Sequence, residues 1–485
     1  MFTYPALIRL FGLYLLLMLC YPTATLAQNT SCNCKENFDE VISKVKHNYP
    51  GYPIKITSSN EASFEQFTDS LRKVADTADA VSCFNLLQLW TGYFKDRHLA
   101  LVFKDIPENK EYINQIFSGN KNVPLSKDSL LTKWATAPEY PLEGIWALSG
   151  IYEVAIIRKG NIYQAIILKG DGTYWKPGQI KLELEPLGDL SWKVTQYNQY
   201  HIRDTFTTYV DEQGYSMVLK GYTWEKIFPV KTGSKSIPAD SFYFSKPDSN
   251  FAILRLPNFE LNNKKVIDSL ITSNFYTITH TPHFIIDLRG NAGGFNICFE
   301  KLLPILYTDP IITNGPIVRA TTENIRLYER MLKSPLFPDD KKPPFVALIK
   351  NLKKNKNSYF QPPGDTTTFP QIYTQPEKVG LLMDEGCSSA TELLILDAKQ
   401  SKKVTLFGKR SAGIVDYLNL VAPRPLSCSR FLLWIPTARL ASLPQHPIDN
   451  TGILPDVEIP HHENWINFAQ QYLSNLEPKV ANSSK

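Results

Sequence analysis

The chain has 485 residues, of which 43% are hydrophobic and 20% charged, with 26 Phe, 24 Tyr and 8 Trp. At about 100 to 200 residues per domain this length predicts roughly two to four domains, and so much apolar content excludes global disorder. The 52 Lys+Arg against 47 Asp+Glu leave a formal charge of +5, scattered along the chain, which offers no basic stripe to a nucleic-acid partner.

At the N-terminus Arg9 precedes the apolar run Leu10–Tyr21, and Pro22-Thr23-Ala24-Thr25-Leu26-Ala27 follows. A charged start, a short apolar core and small residues at the end predict a secretory signal over 1–27, cleaved before Gln28. The core is too short for a spanning helix of about 20 residues. Leu19 stands where a lipoprotein signal needs a small residue before Cys20, so a lipid anchor is not expected. The expected localisation is secreted or periplasmic, with no stable membrane span after cleavage. Cys32, Cys34, Cys83, Cys298, Cys387 and Cys428 remain, and an oxidising compartment allows them to bridge; a staple from Cys32 or Cys34 to Cys83 is one option. Cys32-Asn33-Cys34 is too tight for the usual zinc pair and no second pair answers it, so neither a metal nor another cofactor is expected.

Three regions follow. Over 28–140 the apolar residues Phe38, Val41, Ile42 and Val45, then Phe64, Phe67, Leu71 and Val74, recur at three and four, which predicts an N-terminal helical domain. It ends in Asp96-Arg97-His98 and the possible start of a strand. Over 141–235 the period changes to two, in Tyr152–Ile157, Tyr163–Leu168 and Ile180–Glu185, with turns at Lys159-Gly160-Asn161 and Lys169-Gly170-Asp171-Gly172. That pattern predicts an all-β insert, a small barrel or a sandwich. Over 236–485 strands at Phe251–Leu256, Phe284–Ile286, Phe345–Ile349 and Val379–Met383 alternate with helices near Lys264–Ser273 and Phe299–Leu306. This predicts an α/β domain and makes the whole chain α+β multidomain. Lys350–Pro376 reads as a long exposed loop.

Two strand-to-helix turns stand out. In Asp287-Leu288-Arg289-Gly290-Asn291-Ala292-Gly293-Gly294 the paired glycines let backbone N–H groups approach a ligand that a Cβ would exclude. In Asp384-Glu385-Gly386-Cys387-Ser388-Ser389-Ala390-Thr391-Glu392, Ser389 falls at a helix N-terminus, where free N–H groups and the macrodipole favour an oxyanion. Ser389-Ala390-Thr391-Glu392 also fits a capping box, and Ser388 is a neighbouring alternative nucleophile.

The first turn resembles the Asp-x-Arg-x-Asn-x-Gly-Gly motif of the C-terminal-processing, or tail-specific, serine peptidases. Ser389–Glu392 is similar to their nucleophile motif, Gly408-Lys409-Arg410-Ser411-Ala412-Gly413 to their Gly-Glu-x-Thr-x-Gly, and Gly452-Ile453-Leu454-Pro455-Asp456 to their late Gly-x-x-Pro-Asp. The resemblance spans roughly Ser241–Ile459 and implies a crotonase/ClpP-like catalytic domain. The lysine of the Ser/Lys-dyad branch is replaced by Ile414. Asp96-Arg97-His98 and Asp449 instead resemble the branch of the tricorn core and the retinoid-binding repeats, though Glu is more frequent at the position of Asp449. The resemblance implies a serine endopeptidase acting on protein or peptide substrates. Ser389 would be the nucleophile, His98 the base and Asp449 its support, with an oxyanion hole from Ala390 and the Gly293-Gly294 pair and no cofactor. The usual PDZ module has no counterpart, and the β insert stands where a substrate-recognition element is expected. The competing reading is a non-catalytic peptide- or lipid-binding protein that retains the fold; an α/β-hydrolase esterase fails because Gly386-Cys387-Ser388-Ser389-Ala390 lacks the second glycine.

Overall fold

The computed structural model describes residues 32–104, 122–135, 140, 142–148, 151–171, 174–188, 191–197, 201, 203–210, 215–219, 222–229, 241–335, 337, 339, 342–460 and 463–475. The expected signal at 1–27 and the pair His461-His462 lie outside them.

The first helices are Cys34–Asn48, Tyr52–Lys55, Glu61–Ala75 and Ala80–Gly92. Asn33 Oδ1 accepts from the Glu36 N–H at 3.0 Å and Asp79 Oδ1 from the Ser82 N–H at 2.8 Å, so both N-termini are capped by their own side chains. Phe38, Val41 and Val45 are fully buried on one face. The core they enter is shared: Trp90 and Phe94 pack in one cluster with Tyr417, Phe431 and Leu433 from the far end of the chain. Strand Ala100–Phe103 pairs antiparallel with Phe431–Trp434, and disulfides join Cys34 to Cys83 and Cys32 to Cys428. The expected separate helical domain over 28–140 is therefore corrected. Its helices are one side of a core completed by residues 417–443, and they hold the segment carrying His98 against that region.

The insert is a sheet of eight strands, Gly144–Leu148, Tyr152–Lys159, Ile162–Lys169, Ile180–Gly188, Ser191–Tyr197, Arg203–Tyr209, Ser216–Leu219 and Tyr222–Phe228. Neighbours in sequence run antiparallel, the last strand returns to pair with the first, and a bridge between Val210 and Met217 joins the sixth to the seventh. The sheet thus curls round as an up-and-down barrel whose last seam, between the sixth and seventh strands, is made among the described residues by that single bridge. Trp146, Val154, Ile156, Ala165, Leu182, Leu184 and Val194 point inward with no exposure at all, so side chains fill the interior. The opposite face buries Ile145 and Ala155 under Leu130 and Trp134 of helix Lys127–Lys133. That helix belongs with the barrel, across the boundary expected at 140.

The α/β region is built on strands Tyr243–Ser245, Phe251–Arg255, His283–Asp287, Lys378–Met383, Val404–Gly408 and Val457–Glu458, in that order across the sheet. All run parallel except the first, an antiparallel edge. Phe284, Ile285 and Ile286 are each fully buried, as expected for a parallel strand covered on both sides. Helices Lys264–Ile278 and Ala390–Ala398 lie over one face and helix Trp465–Asn475 over the other. Phe345–Ile349, expected as a strand, is instead part of helix Lys342–Lys354; a short apolar run does not distinguish the two by periodicity. The end of the same helix and the short strands Tyr359–Phe360 and Asp365–Thr367 interrupt the loop expected over Lys350–Pro376, most of which lies outside regular elements. No helix among the described residues is long and apolar enough to cross a membrane.

Candidate active site

Asp287 pairs in register with Leu382 of the adjacent parallel strand, so the turns that follow the two strands leave the sheet side by side. Asp384 Oδ1 accepts from the N–H groups of Gly290 and Gly386, each at 2.8 Å. Asn291 donates through Nδ2 to Leu256 O at 2.9 Å and accepts through Oδ1 from Gly293 N–H at 2.9 Å and Thr391 Oγ1 at 2.7 Å. Arg289 forks onto Asp287 at 2.9 and 2.7 Å. Burial would raise the Asp287 carboxyl, but Arg255, Arg289 and its hydrogen bonds prevail and hold it at about 2. These contacts fix the glycine turn against Ser388–Ala390. A Cβ on Gly293, whose φ is +91°, would stand 2.6 Å from Ser388 O and 2.9 Å from Ala390 N, so only glycine fits there.

Ser389 opens helix Ala390–Ala398 with φ 56° and ψ −119°. A capping serine ordinarily has extended backbone, whereas this left-handed geometry on a non-glycine residue stores about 1–3 kcal/mol of strain. It is the geometry of a sharp strand-to-helix turn that presents a side chain to a ligand. The capping box is present as well: Glu392 Oε2 accepts from the Ser389 N–H at 3.0 Å, and the Ser389 side chain faces the Glu392 N–H in return. Ser388 is excluded as the exposed nucleophile, because it is buried and its hydroxyl donates to Ala292 O at 3.0 Å.

Glu392 is completely buried and collects three further donors, the Ser411 hydroxyl and the N–H groups of Gly413 and Ile414, the latter two at 2.8 Å. The next two residues turn to another acid: Val415 and Asp416 N–H both donate to Asp449 Oδ1 at 2.8 Å. Asp416 answers by accepting from the Asp449 N–H at 2.9 Å. The residue after that supplies Tyr417 O, which meets His98 Nδ1 at 2.7 Å. One five-residue strip, Gly413–Tyr417, therefore ties together the glutamate under Ser389, Asp449 and His98. From Ile414 to Tyr417 the chain reaches no more than about 11 Å even fully extended, so His98 and the helix that Ser389 opens hang from the two ends of one short strip.

A carbonyl oxygen only accepts, so the proton of neutral His98 sits on Nδ1 and Nε2 keeps its lone pair. Burial lowers the imidazole's affinity for a proton, opposed by Asp449, the Tyr417 carbonyl and Glu392. The base is thus held neutral but in a field that favours its cation. Asp449 is raised to about 7 by burial first and by Asp96 second. It makes no direct hydrogen bond to the imidazole. Its Oδ1 is taken by the strip and its buried Oδ2 has no partner, so it supports His98 through the strip and through charge. Burial also raises Glu392, against the pull of its four donors.

The expected oxyanion hole takes the Ala390 N–H and one from the Gly293-Gly294 pair. The Gly293 N–H donates to Asn291, so within the pair the candidate is Gly294, which is exposed, has a φ of +135° and lies close to Phe259 O. Among late-motif residues, Asp456 Oδ2 accepts from Leu406 N–H at 2.9 Å and Lys409 pairs with Glu458 at 2.7 Å, both structural roles. Tyr417 O and the N–H groups of Gly413–Asp416 were not foreseeable, because main-chain atoms carry no residue signature.

Residues 250–459 match Peptidase family S41. No curated protein matches the chain. Among solved structures the chain is similar to mature CPAF, with 11% identity, coverage of 92% of this chain and 96% of that chain, and a TM-score of 0.48. For the photosystem II D1 C-terminal processing protease the values are 13%, 89%, 94% and 0.40. For the tricorn protease they are 12%, 91%, 36% and 0.38. The matched segment holds Ser389, both glycines of the first turn and Asp449, and His98 lies outside it; over that segment the chain carries the domain of a serine-type peptidase.

Proposed function

We propose that the protein is a secreted serine endopeptidase of the tail-specific type, nearer the tricorn-core branch than the Ser/Lys-dyad branch. The observation that carries this reading is the Gly413–Tyr417 strip, which binds Glu392, Asp449 and His98 in succession. Ile414 standing in place of the dyad lysine favours a histidine base. The two disulfides suit an oxidising compartment outside the cytosol.

Ser389 Oγ attacks the scissile carbonyl while His98 Nε2 takes its proton, and the imidazolium then returns that proton to the leaving amine. The strip holds Nδ1–H in place, and Asp449 stabilises the cation. The tetrahedral oxyanion is received by the N–H groups of Ala390 and Gly294, each such donor contributing about 2.7–4 kcal/mol to the transition state. Water repeats the sequence on the acyl-enzyme.

Labelling with a fluorophosphonate probe tests this. Wild-type protein is expected to label, Ser389→Ala not at all, and His98→Ala at least about 10³-fold more slowly. Wild type that fails to label, or labelling indifferent to Ser389, would replace this reading by the non-catalytic binder.

A further inference from the structure

Asp96 is buried at 5% exposure, two residues before the proposed base. Its Oδ1 accepts from the His98 N–H at 2.8 Å, and its main-chain oxygen accepts from the Leu99 N–H at 3.2 Å. His98 is thus held twice, at its main-chain N–H by Asp96 and at ring Nδ1 by Tyr417 O. The buried Asp96 carboxylate faces the buried Tyr49 hydroxyl, and Asp449 Oδ2 is buried without a hydrogen-bond partner. A buried acid oxygen left unsatisfied is uncommon and calls for a reason; here it belongs to a group on which Asp96 acts.

Resting on the peptidase reading of the site, we propose that Asp96 is a positioning residue: it fixes the main chain of His98 and forms with Asp449 a coupled acid pair behind the imidazole. Tyr49, Tyr417 and Lys55 face Asp96; Asp416 and Arg97 act on Asp449 with it, and Glu392 acts on His98 from the serine side. Burial lifts Asp96 to about 6, and burial together with Asp96 lifts Asp449 to about 7. Two such acids titrate as a pair and share negative charge between them. Of the two, Asp449 is the one whose charge acts on His98.

Removing Asp96 therefore leaves the shared charge wholly on Asp449, so the imidazolium gains. The experiment is an NMR titration of the His98 ring in full-length protein, with labelling rates measured in parallel. In Asp96→Asn, which retains an acceptor for the His98 N–H, the midpoint is expected to rise by roughly half a pH unit or more, with labelling at pH 8 within about threefold of wild type. In Asp449→Asn the midpoint is expected to fall. In Asp96→Ala, which loses the clamp, labelling slows by about tenfold or more. A midpoint that is unchanged or falls in Asp96→Asn, or an alanine variant that labels as fast as the asparagine one, overturns the proposal. The titration reads the pair even if wild-type protein proves not to label, so failure of the peptidase reading remains separate.

Discussion

The barrel and the carboxyl edge of the parallel sheet solve opposite problems with the same kind of chain. In the barrel, strands alternate inward and outward and the inward side chains leave no exposed surface. At the sheet edge the rule is broken repeatedly: Ser389 has positive φ, Glu392 is an entirely buried acid, and Asp96 and Asp449 are further buried acids, the second with an oxygen lacking a partner. Local rules agree where the chain serves only stability, and conflict where groups are held ready for chemistry. The contrast also bears on recognition. A PDZ-like module captures a peptide by adding it to an open sheet edge, whereas seven of the barrel's eight strand seams are paired as ladders.

The largest effect should come from cutting the strip off the nucleophile's helix. Glu392→Ala leaves the Ser411 hydroxyl and three N–H groups without their acceptor. A buried group deprived of its partner costs about 1–3 kcal/mol, so a loss on the order of 3–5 kcal/mol in urea unfolding is expected after water fills part of the gap. Labelling should fall by about 100-fold or more, because His98 hangs from the same strip. Retained activity with an unchanged urea midpoint would show that Glu392 is a cap and nothing else.

How much of this was legible depended on which atoms carry the information. The barrel declared itself through period two and its turns, and Ser389, His98 and Asp449 became candidates through the resemblance of their motifs to a peptidase family. The partition into domains did not, because cores are made by contacts across sequence: Phe38 packs in one cluster with Phe431, and Cys32 joins Cys428. Phe345–Ile349 misled because five apolar residues suit a buried helix face as well as a strand. In the site, the side chains were readable but the connector was not. The strip works through four N–H groups and one carbonyl, which any sequence could supply.

Asp449→Asn sharpens the comparison by setting stability against function. The carboxyl ionises near 3.9 in an unfolded chain and at about 7 in the folded one. Below about pH 4 both states hold the proton and stability is complete; between 4 and 7 the unfolded state ionises first, so stability is lost as pH rises through the folded value. Asp96, raised to about 6, adds to that loss in the lower part of the window. Asparagine keeps an acceptor for Val415 and Asp416 and carries no charge. It should stabilise the protein by about 1–3 kcal/mol at pH 8 and leave it unchanged at pH 4, while labelling slows. Equal unfolding midpoints at both pH values would mean that the buried acid costs nothing.

The smallest effect is expected where the barrel makes its own exception. Lys181 is only 2% exposed, donates to Tyr197 O at 2.6 Å, and lies 4.1 Å over the Trp175 ring and 4.7 Å over that of Tyr152. Burial drives its ammonium down to about 7. The unfolded chain holds that proton to about pH 10.4, so this lysine weakens the fold at low pH, and the deficit disappears as pH rises from 7 toward 10. Lys181→Met fills the same space without charge. It forfeits one hydrogen bond and two ring contacts, so the net gain should stay near 1 kcal/mol at pH 6 and vanish by pH 10. The labelling rate at Ser389 should remain within about twofold. A large loss of labelling in a variant that melts like wild type would mean that the barrel reaches into catalysis, and the division between a region built for stability and one built for chemistry would have to be withdrawn.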